Sequence, residues 1–157
     1  MKLLKLTAIL AVLSVIVISV VSCEKEEEKK KANFFIKNDI QMLGANENPA
    51  VVTTASGHMD VWYDKRKHIL NYVVSWTGLS TNPIGFHIHA TAPKGFNAPV
   101  QQTFPLTGLQ KSGTYTGNLL IDGVKFKESD LLSGLYYINM HTTPNPGGEI
   151  RGQITFD

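Results

Sequence analysis

The sequence predicts an all-β domain, an antiparallel Greek-key sandwich or flattened barrel of about eight strands. Two observations carry that reading. After Ala32, short runs rich in β-branched and aromatic residues recur between turn-forming residues, the pattern of pleated, half-buried surfaces. No long stretch in the same region shows the 3.6-residue apolar period of an amphipathic helix.

Phe34 to Met42 is the first strand, and Leu43-Gly44-Ala45-Asn46-Glu47-Asn48-Pro49 breaks it. Gly57 to Tyr63 and His68 to Trp76 follow, joined by Asp64-Lys65-Arg66-Lys67 as a hairpin turn. Ile84 to Ala90 comes after Asn82-Pro83, and Val100 to Phe104 after a loop rich in Pro, Gly and Asn. Gly113 to Ile121 and Leu135 to His141 flank a helical turn, Lys127 to Leu132, and Glu149 to Phe156 closes the chain.

The segment before the domain reads differently. Met1, Lys2 and Lys5 make a basic start, and an almost wholly apolar run from Leu6 to Val21 ends at Ser22-Cys23. A charged head, an apolar middle and small residues before a cut are the marks of a secretory signal. Val20-Val21-Ser22-Cys23 resembles the lipobox of bacterial lipoproteins. That resemblance implies residues 1–22 as signal peptide, acylation of Cys23, and residues 23–32 as a tether. The expected location is a lipid-anchored one on the bacterial cell envelope, at the outer membrane or cell surface. Glu24 to Lys31 holds only charged residues, so nothing in it can join a core. The domain then spans residues 33–157, long enough to bury most of its apolar surface without disulfides. Cys23 is the sole cysteine.

Charge argues against nucleic acid as a partner. The chain carries 15 Lys+Arg and 13 Asp+Glu, and removal of the signal and tether leaves the domain balanced, with no basic stripe. The partners expected instead are the membrane, through the lipid, and an envelope protein or glycan.

Candidate site residues come from strand parity, since residues two apart share a face. In Ile84-Gly85-Phe86-His87-Ile88-His89, the set Ile84, Phe86 and Ile88 is apolar and takes the core face, so His87 and His89 project outward together. Imidazoles two apart on a strand are a recurring metal-ligand spacing. By the same rule Asn139 and His141 lie opposite Tyr136, Ile138 and Met140, while Glu149, Arg151 and Gln153 lie opposite Ile150 and Ile154. His87, His89 and His141 are therefore the candidate ligands for copper or zinc, and Arg151, Glu149 and Glu47 the candidate contacts for a ligand or anion. Glu149 and Arg151 share a face and are expected to pair with each other or with Glu47. His58 and His68 lack such spacing and read as surface residues. Parity alone leaves strand order, and so the meeting of these groups, open.

Leu43-Gly44-Ala45-Asn46-Glu47-Asn48-Pro49, Gly85-Phe86-His87-Ile88-His89, and the run from His141 through Pro144-Asn145-Pro146-Gly147-Gly148-Glu149 to Gln153 occur in this order. Together they resemble the CHRD domain, named after chordin and common in bacterial exported proteins. The likeness covers Asn33 to Asp157 and implies an all-β domain with the histidines and Arg151 as its most recognisable polar positions. A second likeness, to Cu/Zn superoxide dismutase, rests on the Gly-Phe-His-x-His strand, whose two histidines hold copper in that enzyme. Only His87 and His89 match. The loop Thr91 to Gln102 contains no His or Asp, so the zinc site and bridging histidine of that enzyme have no counterpart. A superoxide-dismutase-like or immunoglobulin-like sandwich is the expected fold.

Three functions follow as expectations. The first is a non-catalytic binding or structural module of the envelope. The second is a copper or zinc domain using the three histidines, and the third a copper-dependent oxidoreductase. No Gly-x-Ser-x-Gly, phosphate-cradling loop or free thiol nucleophile supports another chemistry.

Overall fold

A computed structural model of the chain describes residues 33–156. The signal segment, Cys23 and the charged tether lie outside the described residues. Among the described residues the strands are β1 (Phe34–Leu43), β2 (Ser56–Asp64), β3 (Ile69–Thr77), β4 (Gly85–Ala90), β5 (Val100–Thr103), β6 (Gly113–Leu120), β7 (Tyr136–His141) and β8 (Ile150–Ile154), with a 3-10 turn at Gly44–Asn46 and one short α-helix, α1 (Glu128–Leu132), before β7. Each lies within a residue or two of its predicted bounds, because the turn residues that end the apolar alternation also end the strands.

The strands form one sheet in the order β5-β4-β7-β8-β1-β2-β3-β6. Neighbouring pairs run antiparallel, among them β4 with β7 and β7 with β8. The sheet curls over itself. Phe104, just past the edge strand β5, packs its ring 5.5 Å from that of Tyr72 on β3 and 5.2 Å from that of Tyr115 on the opposite edge strand β6. Phe86 on β4 likewise lies 6.0 Å from Trp76 on β3. The two ends of the sheet thus close on a shared aromatic core, which gives a flattened half-barrel. Alternate residues of the middle strands fill it, including Met42, Met59, Val61, Val74, Ile88, Ile138 and Ile150, all fully buried.

Local chemistry fixes the turns. In the β2–β3 hairpin, the Asp64 carboxylate accepts the backbone N–H groups of Arg66 at 3.0 Å and Lys67 at 3.3 Å, an Asx-type turn. The helix α1 is pinned by Leu131, fully buried, and by the Tyr63 hydroxyl, which donates to Glu128 at 2.6 Å. One core expectation fails: Ile84 lies just outside β4 and is 52% exposed. Asn82-Pro83 delays the strand by one residue, so the inward set begins at Phe86.

A candidate metal centre

Adjacent strands place the polar residues in rows. The β4–β7 register sets Gly85 opposite His141, His87 opposite Asn139 and His89 opposite Tyr137. The β7–β8 register then continues two rows, Asn139 to Arg151 and Tyr137 to Gln153. Since directly paired residues point to the same side of a sheet, His87, His89, Tyr137, Asn139, His141, Arg151 and Gln153 share one face, opposite the aromatic core.

The face agrees with parity and the exposure does not. Outward parity puts His89, His141 and Arg151 at the surface, yet their exposures are 6%, 9% and 1%. Loops roof this side of the sheet. Ala98 lies against His89, Pro146 against His141, and Phe96 and Asn97 against Arg151. Only His87 among the three histidines is half-buried.

The roof also sets the protons. His89 Nδ1 lies 2.8 Å from the Ala98 carbonyl oxygen, and His141 Nδ1 lies 3.0 Å from that of Pro146. A carbonyl only accepts, so both Nδ1 atoms donate and both Nε2 atoms carry lone pairs. His89 Nε2 is buried and has no hydrogen-bond partner. His87 Nδ1 approaches His141 Nε2 at 3.0 Å. One ligand atom from each of the three rings falls within 4.8 Å of the others, the one such group of His, Cys, Asp and Glu among the described residues. Imidazoles whose second nitrogen donates to a backbone carbonyl are the usual form of metal-bound histidine.

Asn139, not singled out from the sequence as a ligand, completes the cluster. Its Nδ2 donates to Glu47 Oε1 at 3.4 Å, which turns its Oδ1 towards His141 Nε2 at 3.0 Å. Two acceptors then face each other in a buried space, an arrangement a cation relieves. Its outward parity beside His141 is the available signal, but only the pairing with His87 gives it meaning.

Burial pushes all three histidines below their ordinary value. His87 falls to about 4, with the positive charge of His141 and His89 adding to desolvation. His89 and His141 are lowered for the same first reason, partly opposed by their bonds to Ala98 and Pro146. Near neutral pH the rings are uncharged, the form that binds metal.

The glycine of the Gly-Phe-His-x-His strand has a steric role. A Cβ on Gly85 would sit 2.9 Å from His87 Cε1 and 3.1 Å from His141 Cδ2. Both rings lie over it.

The expected pairing of Glu149 with Arg151 does not occur. Glu149 accepts from Thr53 at 2.7 Å and from the Ser80 hydroxyl at 2.8 Å, and these bonds, with those from Thr142 and the Ser80 backbone, outweigh burial and hold its carboxyl below the usual range. Glu47 bonds Asn139 instead, and burial raises its carboxyl to about 7 against the pull of Asn139 and Arg151. Glu149 lies just before the first residue of β8 and turns to the β3–β4 loop, so strand parity does not govern it. Arg151 donates to Phe96 O at 2.9 Å and Gln153 Oε1 at 3.0 Å, with its guanidinium carbon 3.4 Å from the centre of the Tyr137 ring. The other face of Tyr137 stacks on His89 at 4.6 Å and 4°. His58 and His68 lie outside the cluster, and His58 is exposed.

The family model for the CHRD domain matches residues 39–154. No curated protein and no solved structure matches the chain.

Proposed function

The chain belongs to the CHRD domain family, and on that premise we propose that it is an exported, lipid-anchored envelope protein whose domain is a non-catalytic metal-binding module. The family supports a β-domain with a binding or structural role. The ligand proposed is copper or zinc, held by His87, His89 and His141 with Asn139 Oδ1 beside them. The observation that carries the reading is His89 Nε2, a buried lone pair with no partner that belongs to a three-imidazole group. An unsatisfied buried acceptor is costly, and a divalent cation supplies what it lacks. Imidazole donors suit both metals, and copper is favoured by the general affinity order.

Calorimetric titration of tag-free protein with copper and with zinc tests this. Saturable one-to-one binding is expected, with a rise in melting temperature, because an ion that binds only the folded state stabilises it. Single His→Ala changes at 87, 89 or 141 are expected to weaken binding by tenfold or more, while His58→Ala leaves it unchanged. Equal affinity in the wild type and the triple variant would remove the metal reading.

The anchor has its own test. Cys23→Ser is expected to release the protein from membranes or to stop signal cleavage. Normal processing with unchanged membrane partition would remove the lipoprotein reading.

A further inference from the structure

On the same face as the histidines, but beyond Tyr137, lies a cleft of about 290 Å³ whose lining includes Gln41, Asn46, Lys94, Arg151 and Thr155. Its lining holds two cations and no carboxylate. Arg151 is 1% exposed, and every hydrogen bond it makes goes to a neutral oxygen, on Phe96, Asn97 or Gln153. Glu47 attracts it only from beyond ion-pairing distance, and neither Arg151 nor Lys94 has an ion pair among the described residues. A buried guanidinium without an anion is under-compensated, and its remaining N–H groups can donate to a carboxylate.

The neutral part of the lining has a definite polarity. Asn46 Nδ2 donates to the carbonyl oxygens of Gln41 at 3.3 Å and Arg151 at 3.1 Å, which leaves Asn46 Oδ1 as an acceptor. Gln41 Nε2 is held by Asp39 at 2.8 Å, which leaves Gln41 Oε1 as an acceptor too. These oxygens can accept hydrogen bonds from a ligand's hydroxyl groups. Hydrogen phosphate carries only one or two O–H donors near neutral pH, fewer than a polyhydroxylated ring, and a neutral sugar leaves the cations unpaired. The volume sits at the lower end for small-molecule sites, room for a single sugar-sized group.

We propose that this cleft binds a sugar acid, its carboxylate on Arg151 and Lys94 and its hydroxyls on the amide oxygens of Asn46 and Gln41. The same group occurs as a free monosaccharide and as the end of an acidic glycan. The cleft is independent of the metal, since none of the three histidines lines it.

Full-length tag-free protein, kept with a chelator, is titrated with galacturonate, galactose, inorganic phosphate and a short oligogalacturonide. Galacturonate is expected to bind saturably and raise the melting temperature, with galactose and phosphate at least tenfold weaker. Lys94→Glu, at an exposed position, is expected to melt as the wild type and to lose tenfold or more in affinity. Gln41→Leu should weaken galacturonate binding. Loading the metal centre with one equivalent of zinc, in place of the chelator, should leave galacturonate binding intact, which separates this site from the metal centre. Tighter binding of the oligosaccharide identifies a glycan end as the ligand, and equal binding identifies the free acid. Galactose or phosphate binding as tightly as galacturonate, or no response to Lys94→Glu, would overturn the proposal.

Discussion

On β2 and β3 buried residues alternate with more accessible ones along almost the whole strand, whereas on β7 and β8 every residue is buried. The two halves of the sheet share a pleat and a core, so the difference lies on their outer sides. Over β2 and β3 that side meets solvent, and residues such as His58 stand free in it. Over β4, β7 and β8 it is covered by the loops that carry Phe96, Asn97, Ala98 and Pro146. The sheet there has two interiors, one apolar and one polar. The apolar interior is held by area removed from water. The polar one holds together only through the pairing of its groups, and is therefore where an unpaired atom such as His89 Nε2 calls for a ligand.

The largest expected effect separates these interiors. Ile138 on β7 is fully buried in the apolar layer, with Asn139 beside it in the polar one. Ile138→Ala is expected to cost about 2–5 kcal/mol of stability, the range for a large-to-small change in a packed core. Chemical denaturation measures this. A cost under about 0.5 kcal/mol, the size of an ordinary surface change, would mean that the inner layer is not the core. Metal affinity of the fraction that remains folded should be unchanged, because Ile138 points away from the histidines.

How much of this is legible in the sequence follows from the same division. Strand bounds are legible throughout, since Asn-Pro, Gly and Asp-Lys-Arg-Lys punctuation acts locally. The face of each site residue is legible as well, since parity is local to a strand, and His87, His89, Asn139, His141 and Arg151 all fall on the side it assigns. Burial is not legible, because Ala98 and Pro146 reach the histidines from loops whose path depends on the finished sheet. Pairing across strands is hidden for the same reason, which is why Asn139 has no meaning until β7 lies beside β4. Glu149 is misassigned because it sits at the strand end, where parity lapses and the Thr53 and Ser80 loops compete for it.

The second effect sharpens the contrast by filling the polar layer from beneath. Gly85→Ala places a methyl group against the rings of His87 and His141, and overpacking of this kind costs about 1–3 kcal/mol. Its larger signature is in binding. The two rings must shift, so metal affinity is expected to fall by tenfold or more, with a smaller metal-induced rise in melting temperature. Wild-type affinity in Gly85→Ala would show that the rings do not meet over this glycine.

The smallest effect reads the polar layer through pH. The histidines have folded-state values below their unfolded ones, so the unfolded chain binds more protons between about 4 and 6.5, the span for His87, and stability is lost as pH falls through that window. Glu47 acts in the opposite sense. Its folded value is raised from 4.5 to about 7, so its contribution is complete below 4.5 and lost as pH rises towards 7 and beyond. In the metal-free protein the two trends offset each other over their shared range, with the histidines ahead because three of them are lowered against one raised carboxyl. Glu47→Gln keeps an oxygen for Asn139 and removes only the titration. The variant is therefore expected to lose stability more steeply than the wild type on acidification from pH 7 to 5. Relative to wild type it should gain on the order of 2–3 kcal/mol at pH 8 over pH 5, because a carboxyl raised from 4.5 to about 7 carries about 1.4 kcal/mol for each tenfold difference in proton affinity between the folded and unfolded chain. Melts across that range, with a chelator present, measure the difference, and parallel curves for the two proteins would show that Glu47 does not titrate inside this layer.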